Sequence, residues 1–195
     1  MPKITETTVA EHRAVQHRAV LEAAEQLIVA GGGKVPSLAE VAAEVGLARP
    51  SVYRYLSSQH DLMVQLLVLA SDTWNEELEG KIKEAPPEPA ERVCAYVDAM
   101  LNLFIHGTHG PLMAAAQQFP EAFAEDKVQK SHARFKEIVD SFCPGVSPMD
   151  IGLLNAAVMR ASESAETPQN LEHAAATLHR MARAIVVGSP VATSV

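Results

Sequence analysis

The chain has 195 residues, 48% hydrophobic and only 5% aromatic, with a net charge of −8. That is enough for a globular core, in one medium domain or a small one fused to a larger one. It excludes a generic basic nucleic-acid binder, and two cysteines without a CxxC partner, Cys94 and Cys143, exclude a cysteine framework.

The charge is unevenly placed. Residues 1–60 hold six Lys/Arg and six Asp/Glu, so the whole −8 lies in the remainder, with 16 − 6 = 10 basic and 24 − 6 = 18 acidic residues. That acidic part would repel phosphate, so any contact with a nucleic acid is expected in the N-terminal third. Ala, Leu and Val dominate and strand-like alternation is hard to find, so the expected class is all-α. The N-terminus lacks the order of a signal peptide, and no apolar run approaches the roughly 18 residues of a membrane span. The expectation is a soluble cytoplasmic protein with no membrane partner.

In chain order, residues 1–10 are polar and unpatterned and predict a mobile arm, with Arg13 and Arg18 following as candidates to touch phosphate. A first helix over about Glu11–Ala30 would bury Val20, Ala24, Leu27 and Ile28 and stop at Gly31-Gly32-Gly33. Lys34 follows the glycines, but no GKS or GKT ending or buried strand makes this a phosphate-binding loop.

The stretch SLAEVAAEVGLARPSVYRYLSSQHDL, from Ser37 to Leu62, carries the strongest pattern. Leu38, Val41, Ala42 and Val45 recur at helical spacing behind a Ser37–Glu40 capping box. Gly46 ends that helix, because glycine tolerates the left-handed turn. A second helix can begin at Arg49-Pro50, proline being acceptable where its missing N–H has no partner, and carries Val52 and Leu56 inward. Two helices joined by so short a turn cross steeply and need a small residue at the contact, which Ala42 supplies. Arg49, Ser51, Tyr53 and Arg54 then face outward, as in a helix-turn-helix reader.

HRAVLEAAEQLIVAGG, LAEVAAEVGLARPSVYRYL and SSQHDLMVQLL together resemble the DNA-binding domain of the tetracycline-repressor (TetR) family, over roughly the first third of the chain. The resemblance implies a transcriptional regulator, most often a repressor, that binds double-stranded operator DNA as a homodimer and is released by a small-molecule effector. Three positions depart from the family pattern: His17 where a basic residue is usual, Ala48 where a Ser or Thr cap is usual, and Gln59 where Lys or Arg is usual. Each removes a cap or a phosphate contact, so the fold should hold while DNA affinity is modest or rests on other groups. The DNA-binding set is Arg49, Pro50, Ser51, Tyr53, Arg54, Tyr55 and Gln59, with Arg49 and Arg54 at base edges and the hydroxyls on phosphates.

Beyond the reader, Leu62, Leu66, Leu67 and Leu69 lead into a long helix through Trp74 to about Lys83, a lever between reader and body. Ala85-Pro86-Pro87-Glu88-Pro89 breaks it. Further helices are expected over about 89–106, 110–118, 120–142, 148–165 and 168–187, and the tail from 188 to 195 should be disordered. The domains divide at 62: residues 1–62 for DNA, residues 63–195 for effector binding and dimerisation. Leu154, Val158, Ala161 and Ala165, with Leu171, Ala174, Leu178, Met181 and Ile185, form two apolar stripes suited to a four-helix dimer interface; the alternative is that both face the chain's own core. Trp74, Met100, Phe104, Met113, Phe119, Asn155 and Met159 are candidates to line a cavity for an apolar effector, with Asn102 and Gln117 as further polar anchors. A constitutive DNA binder with a filled core is the alternative.

His106 and His109 in HGTHG form one close pair without the third and fourth ligands a metal needs, and read as solvent-facing loop histidines. No GxSxG, HExxH or GxGxxG motif occurs, so neither an enzyme nor a cofactor is expected.

Overall fold

In a computed structural model, residues 6–142, 146–164 and 167–188 are described. The order is α1 (Glu6–Ala30), α2 (Leu38–Glu44), α3 (Arg49–Val52), α4 (Gln59–Glu84), α5 (Pro89–His106), α6 (His109–Ala116), a short 3-10 helix (Pro120–Ala124), α7 (Asp126–Phe142), α8 (Pro148–Ser164) and α9 (Pro168–Gly188). Among the described residues there is no strand, and the class is all-α.

The expected elements form close to their expected bounds. The first helix starts at Glu6, earlier than expected, because no glycine or proline interrupts the sequence between Pro2 and Gly31. At the start of the segment expected as one helix over 120–142, Pro120 opens a 3-10 turn and the α-helix begins only at Asp126. The expectations for residues 1–5, Cys143, Ala165 and the tail beyond Gly188 lie outside the described residues.

The chain forms two compact units. The first joins the described residues up to Ala70 with Thr108–Gln129, and the second joins Ser71–Gly107 with the described residues from Lys130 onward. The division is therefore not a single cut at residue 62, since α6 and the 3-10 helix return to the first unit. Gly33 is the reason they can. Its φ is +95°, and an added Cβ would lie 2.7 Å from the Ala114 Cβ of α6. Gln118 Nε2 donates to the Gly33 carbonyl at 2.9 Å, and Thr108 Oγ1 donates to Glu25 of α1 at 2.6 Å. The triple-glycine turn is thus the seat of α6, and no phosphate loop.

The first unit buries Val20, Ala24 and Ile28 of α1, Leu38, Val41 and Ala42 of α2, and Val52, Leu56, Leu62, Met63, Leu66 and Leu67. In the second unit, α5 packs on α8 and α9 around Val93, Tyr96, Val97, Leu101, Leu154, Val158 and Leu178. Each such side chain contributes about 1.5–3 kcal/mol on leaving water. Polar groups tie α4 to α7 within this unit: Asn75 is 2% exposed and donates to the Ser131 carbonyl at 3.1 Å, while Ser131 Oγ donates to Asp72 at 2.7 Å. Their spacing gives no hint of the pairing in the sequence.

Candidate nucleic-acid interface

α2 starts on the capping box read from the sequence. Ser37 Oγ accepts from the Glu40 amide at 3.3 Å, and the Glu40 carboxylate accepts from the Ser37 amide at 2.7 Å. Those bonds hold the Glu40 carboxyl below the usual range, the Ser37 amide foremost. Gly46 turns the chain at φ +66°, and the Leu47 amide closes on the Ala42 carbonyl at 2.8 Å. Ala42 is 1% exposed at the crossing.

α3 begins without a side-chain cap, since Ala48 has no oxygen to offer, and Pro50 removes one orphan amide from its first turn. Val52 and Leu56 are wholly buried and fix the segment's inner face. Arg49, Pro50, Arg54 and Tyr53 are exposed, Tyr53 by 51%, and Ser51 is half-buried beside them. Two guanidinium groups and a phenol therefore stand on the outer face, free of ion pairs among the described residues.

Two residues of the expected DNA set have partners inside the unit. Gln59 Nε2 donates to the Pro36 carbonyl at 3.0 Å, so this side chain ties α4 to the loop before α2. Tyr55 is half-buried and stacks on His17 of α1, ring centroids 5.9 Å apart and 15° from parallel. His17 in turn lies 2.5 Å from Gln65 Oε1. The Gln65 amide nitrogen donates to the Tyr55 carbonyl at 3.1 Å and to Asp61 at 3.0 Å, and Asp61 accepts from the Ser57 amide at 2.7 Å. Burial pushes the Asp61 carboxyl up, but the Ser57 and Gln65 bonds, with Lys127 nearby, outweigh it and bring it below its ordinary value. At position 17, where the family resembled usually has a basic residue, this chain has a histidine that ties the end of the helix-turn-helix to α4 through Gln65. No periodicity marks Gln65 for this, and only its polar character on an otherwise apolar stretch of α4 sets it apart.

The expected effector set does not gather in one unit. Met113 and Phe119 belong to the first, and Trp74, Met100, Phe104, Asn155 and Met159 to the second. Met159 is 47% exposed, and Asn102 and Gln117 are exposed as well, so these three do not line an interior. Trp74 is half-buried, while Met100 and Phe104 pack against the second core. Inside that core the Tyr96 hydroxyl donates to Asn155 Oδ1, and the Tyr96 ring lies 6.2 Å from Phe135.

The dimer stripes also need correction. Leu154 and Val158 are wholly buried, Leu178 is 3% exposed, and Ala161, Leu171 and Ile185 pack against the same core, so this register serves the chain itself. Ala174 is half-buried, and only Met181 of the set is exposed. This is the alternative left open by the sequence, and α8 is apolar on a second side as well. Met149, Leu153 and Met159 are exposed by 71, 60 and 47%, and Met181 and Val187 of α9 by 39 and 86%.

His109 opens α6 and is half-buried, not a loop residue in solvent, and burial lowers its pKa. Among the described residues no three His, Cys, Asp or Glu converge as metal ligands, and no helix is long and apolar enough to cross a membrane.

No family model and no curated protein matches the chain. Solved structures do. A TetR family transcription regulator from Marinobacter aquaeolei VT8 superposes with a TM-score of 0.67 at 14% identity, over 88% of this chain and 97% of that one. AibR, solved with isovaleryl coenzyme A and operator DNA, gives 0.63 at 16% identity over 85% and 97%. The regulator FadR from Bacillus subtilis, solved with stearoyl-CoA, gives 0.60 at 16% over 89% and 100%. The chain is thus an all-helical protein with a helix-turn-helix near its start. Its fold is that of the TetR-family transcriptional regulators.

Proposed function

We propose that the protein is a DNA-binding transcriptional regulator of the TetR type, a repressor released from a palindromic operator by a small effector with a large apolar part. The observation that carries this is the outer face of α3, where Arg49 and Arg54 stand exposed and unpaired on a segment fixed from behind by Val52, Leu56 and the His17–Gln65 clamp. Arginine forks suit guanine edges in the major groove, and Ser51 and Tyr53 hydroxyls suit phosphate oxygens.

One reader covers too few base pairs for specificity, so the active species is a twofold dimer with heads about 34–36 Å apart or a multiple of it. A second copy covers Met149, Leu153 and Met159 of α8 and Met181 of α9, apolar side chains that a monomer would leave in water. The effector binds in the second unit and acts through α4, which supplies residues to both units. That two neighbours of like fold were solved with acyl thioesters of coenzyme A supports an effector with an acyl chain. Coupling of ~2.7 kcal/mol would weaken operator binding about a hundredfold, and operator must weaken effector binding equally.

Selection of duplexes from a random pool tests the reading: it should recover a near-palindrome with half-sites a helical turn or two apart. Recovery of no preferred sequence contradicts it. Equal effector affinity with and without that duplex would separate effector binding from regulation.

A further inference from the structure

The surroundings of α1 change along its length. From Val20 onward it buries Val20, Leu21, Ala23, Ala24 and Ile28 in the first unit, whereas every residue from Val9 to Val15 is exposed, Val9 by 57% and Val15 by 71%. A helix in a globular protein ordinarily keeps one stripe packed. These two turns have none, and only helix propensity and the packed turns that follow hold them.

Their position supplies the missing neighbour. His17 stands at the boundary and stacks on Tyr55, the residue after Arg54 at the end of the reader. Arg13 lies one turn before His17, and positions i and i+4 share a helix face, so Arg13 belongs to the side of α1 that meets the reader. From Val9 to His17 that side carries Val9, Ala10, Arg13, Gln16 and His17 and no carboxylate, while Glu11 falls on the opposite side. Arg18, on the side of Glu11, is bound to Glu22 at 2.9 Å. Arg13 is exposed and makes no ion pair among the described residues.

We propose that the exposed turns of α1 lie along the DNA backbone immediately outside the half-site, and that Arg13 holds a phosphate there whatever the base sequence. This rests on the DNA-binding reading above and extends it by a second contact surface. Two observations select DNA as the occupant. The surface is continuous with the reader through the His17–Tyr55 stack, and its one charge is a guanidinium without a partner in the chain, which suits a phosphate oxygen. His17 is itself engaged by Gln65, so the charge acts one turn further out. At 1.5 Å per residue the stretch from Val9 to His17 is about 12 Å long, which matches about three to four base pairs of duplex.

The duplex recovered by selection, made in two lengths, tests it. One ends at the outer edge of the half-sites, and the other carries six further base pairs of mixed sequence on each side. At low salt the parent should bind the longer duplex about five- to tenfold more tightly, the range of one exposed ion pair in each of two copies. The slope of log affinity against log salt should be steeper by about two, one phosphate per copy. Arg13→Gln should bring the gain to within about twofold, Arg13→Lys should keep most of it, and Glu11→Gln on the opposite side should leave it in place, with melting curves reporting that each variant is folded. Hydrogen exchange of the amides of residues 9–16 should slow on the longer duplex and not on the shorter. Equal binding of both lengths by the parent, or a gain that survives undiminished in folded Arg13→Gln, overturns the proposal and leaves the reader intact. Exchange in these turns that slows with protein concentration in the absence of DNA assigns them to a second copy and also overturns it. A parent that binds neither duplex removes the DNA-binding reading and this one together.

Discussion

Replacing Gln65 by leucine should loosen the reader from behind. The side chain makes three bonds: to the Tyr55 carbonyl at 3.1 Å, to Asp61 at 3.0 Å and to His17 at 2.5 Å. Leucine keeps the bulk but leaves those partners unsatisfied. At about 1 kcal/mol for each neutral bond and about 1.5 for the one to a carboxylate, less what water recovers in a half-buried site, the loss is roughly 2–3 kcal/mol. For a chain of this size that lowers Tm by about 5–10 °C in a thermal scan. Because the Tyr55 carbonyl closes the segment that carries Tyr53 and Arg54, part of the loss falls on the reader alone. Operator affinity, measured by fluorescence anisotropy at a temperature where the variant is folded, should fall about tenfold. Combining Gln65→Leu with His17→Phe, which keeps the stack on Tyr55, should cost less than the sum of the two, since they share a bond. A Tm within about 1 °C of the parent together with unchanged operator affinity would refute the clamp.

Gly33→Ala should cost about 2–4 kcal/mol in chemical denaturation, because the new Cβ meets Ala114 at 2.7 Å on a φ of +95°. Gly32→Ala, at φ +61° with nothing within 4 Å, should cost only about 1 kcal/mol, and equal losses would show that α6 does not sit against this turn. Asp61 is held below its ordinary pKa of 3.8, so its contribution is whole above that value and disappears as pH falls through the depressed one. The Tm gap between the parent and Asp61→Asn should therefore be steady from about pH 7 to 5 and close in stronger acid, and a gap that widens there contradicts the assignment. Leu153→Glu places a charge on the exposed face of α8 and should yield a monomer in sedimentation, whereas Met1-proximal changes such as Val9→Glu should not alter assembly.

The reader was legible in the sequence because its constraints are local. Ser37 and Glu40 are three residues apart, Gly46 must turn, and Pro50 must open a helix, so each residue declares its role to its neighbours. Helix bounds followed for the same reason, with Pro86 and Pro87 keeping α4 from continuing and Pro89 opening α5. What failed was non-local. The return of α6 to the first unit depends on a gap at Gly33 that only Ala114, some eighty residues away, reveals. The faces of α8 could not be separated by spacing, since Leu154 and Val158 on one side and Met149 and Leu153 on the other are alike in hydropathy. Gln59 and Tyr55 were assigned outward by analogy of position, and hydrogen bonding and stacking hold them to the unit.

The central claim is that the outer face of α3 reads DNA, and Arg49→Ala combined with Arg54→Ala tests it most directly. On the selected duplex the parent should bind with strong salt dependence, and the double variant, still folded, should lose about 1–3 kcal/mol per lost guanine contact and relax its preference at those base pairs. Unchanged affinity and unchanged base preference in the double variant would contradict the account.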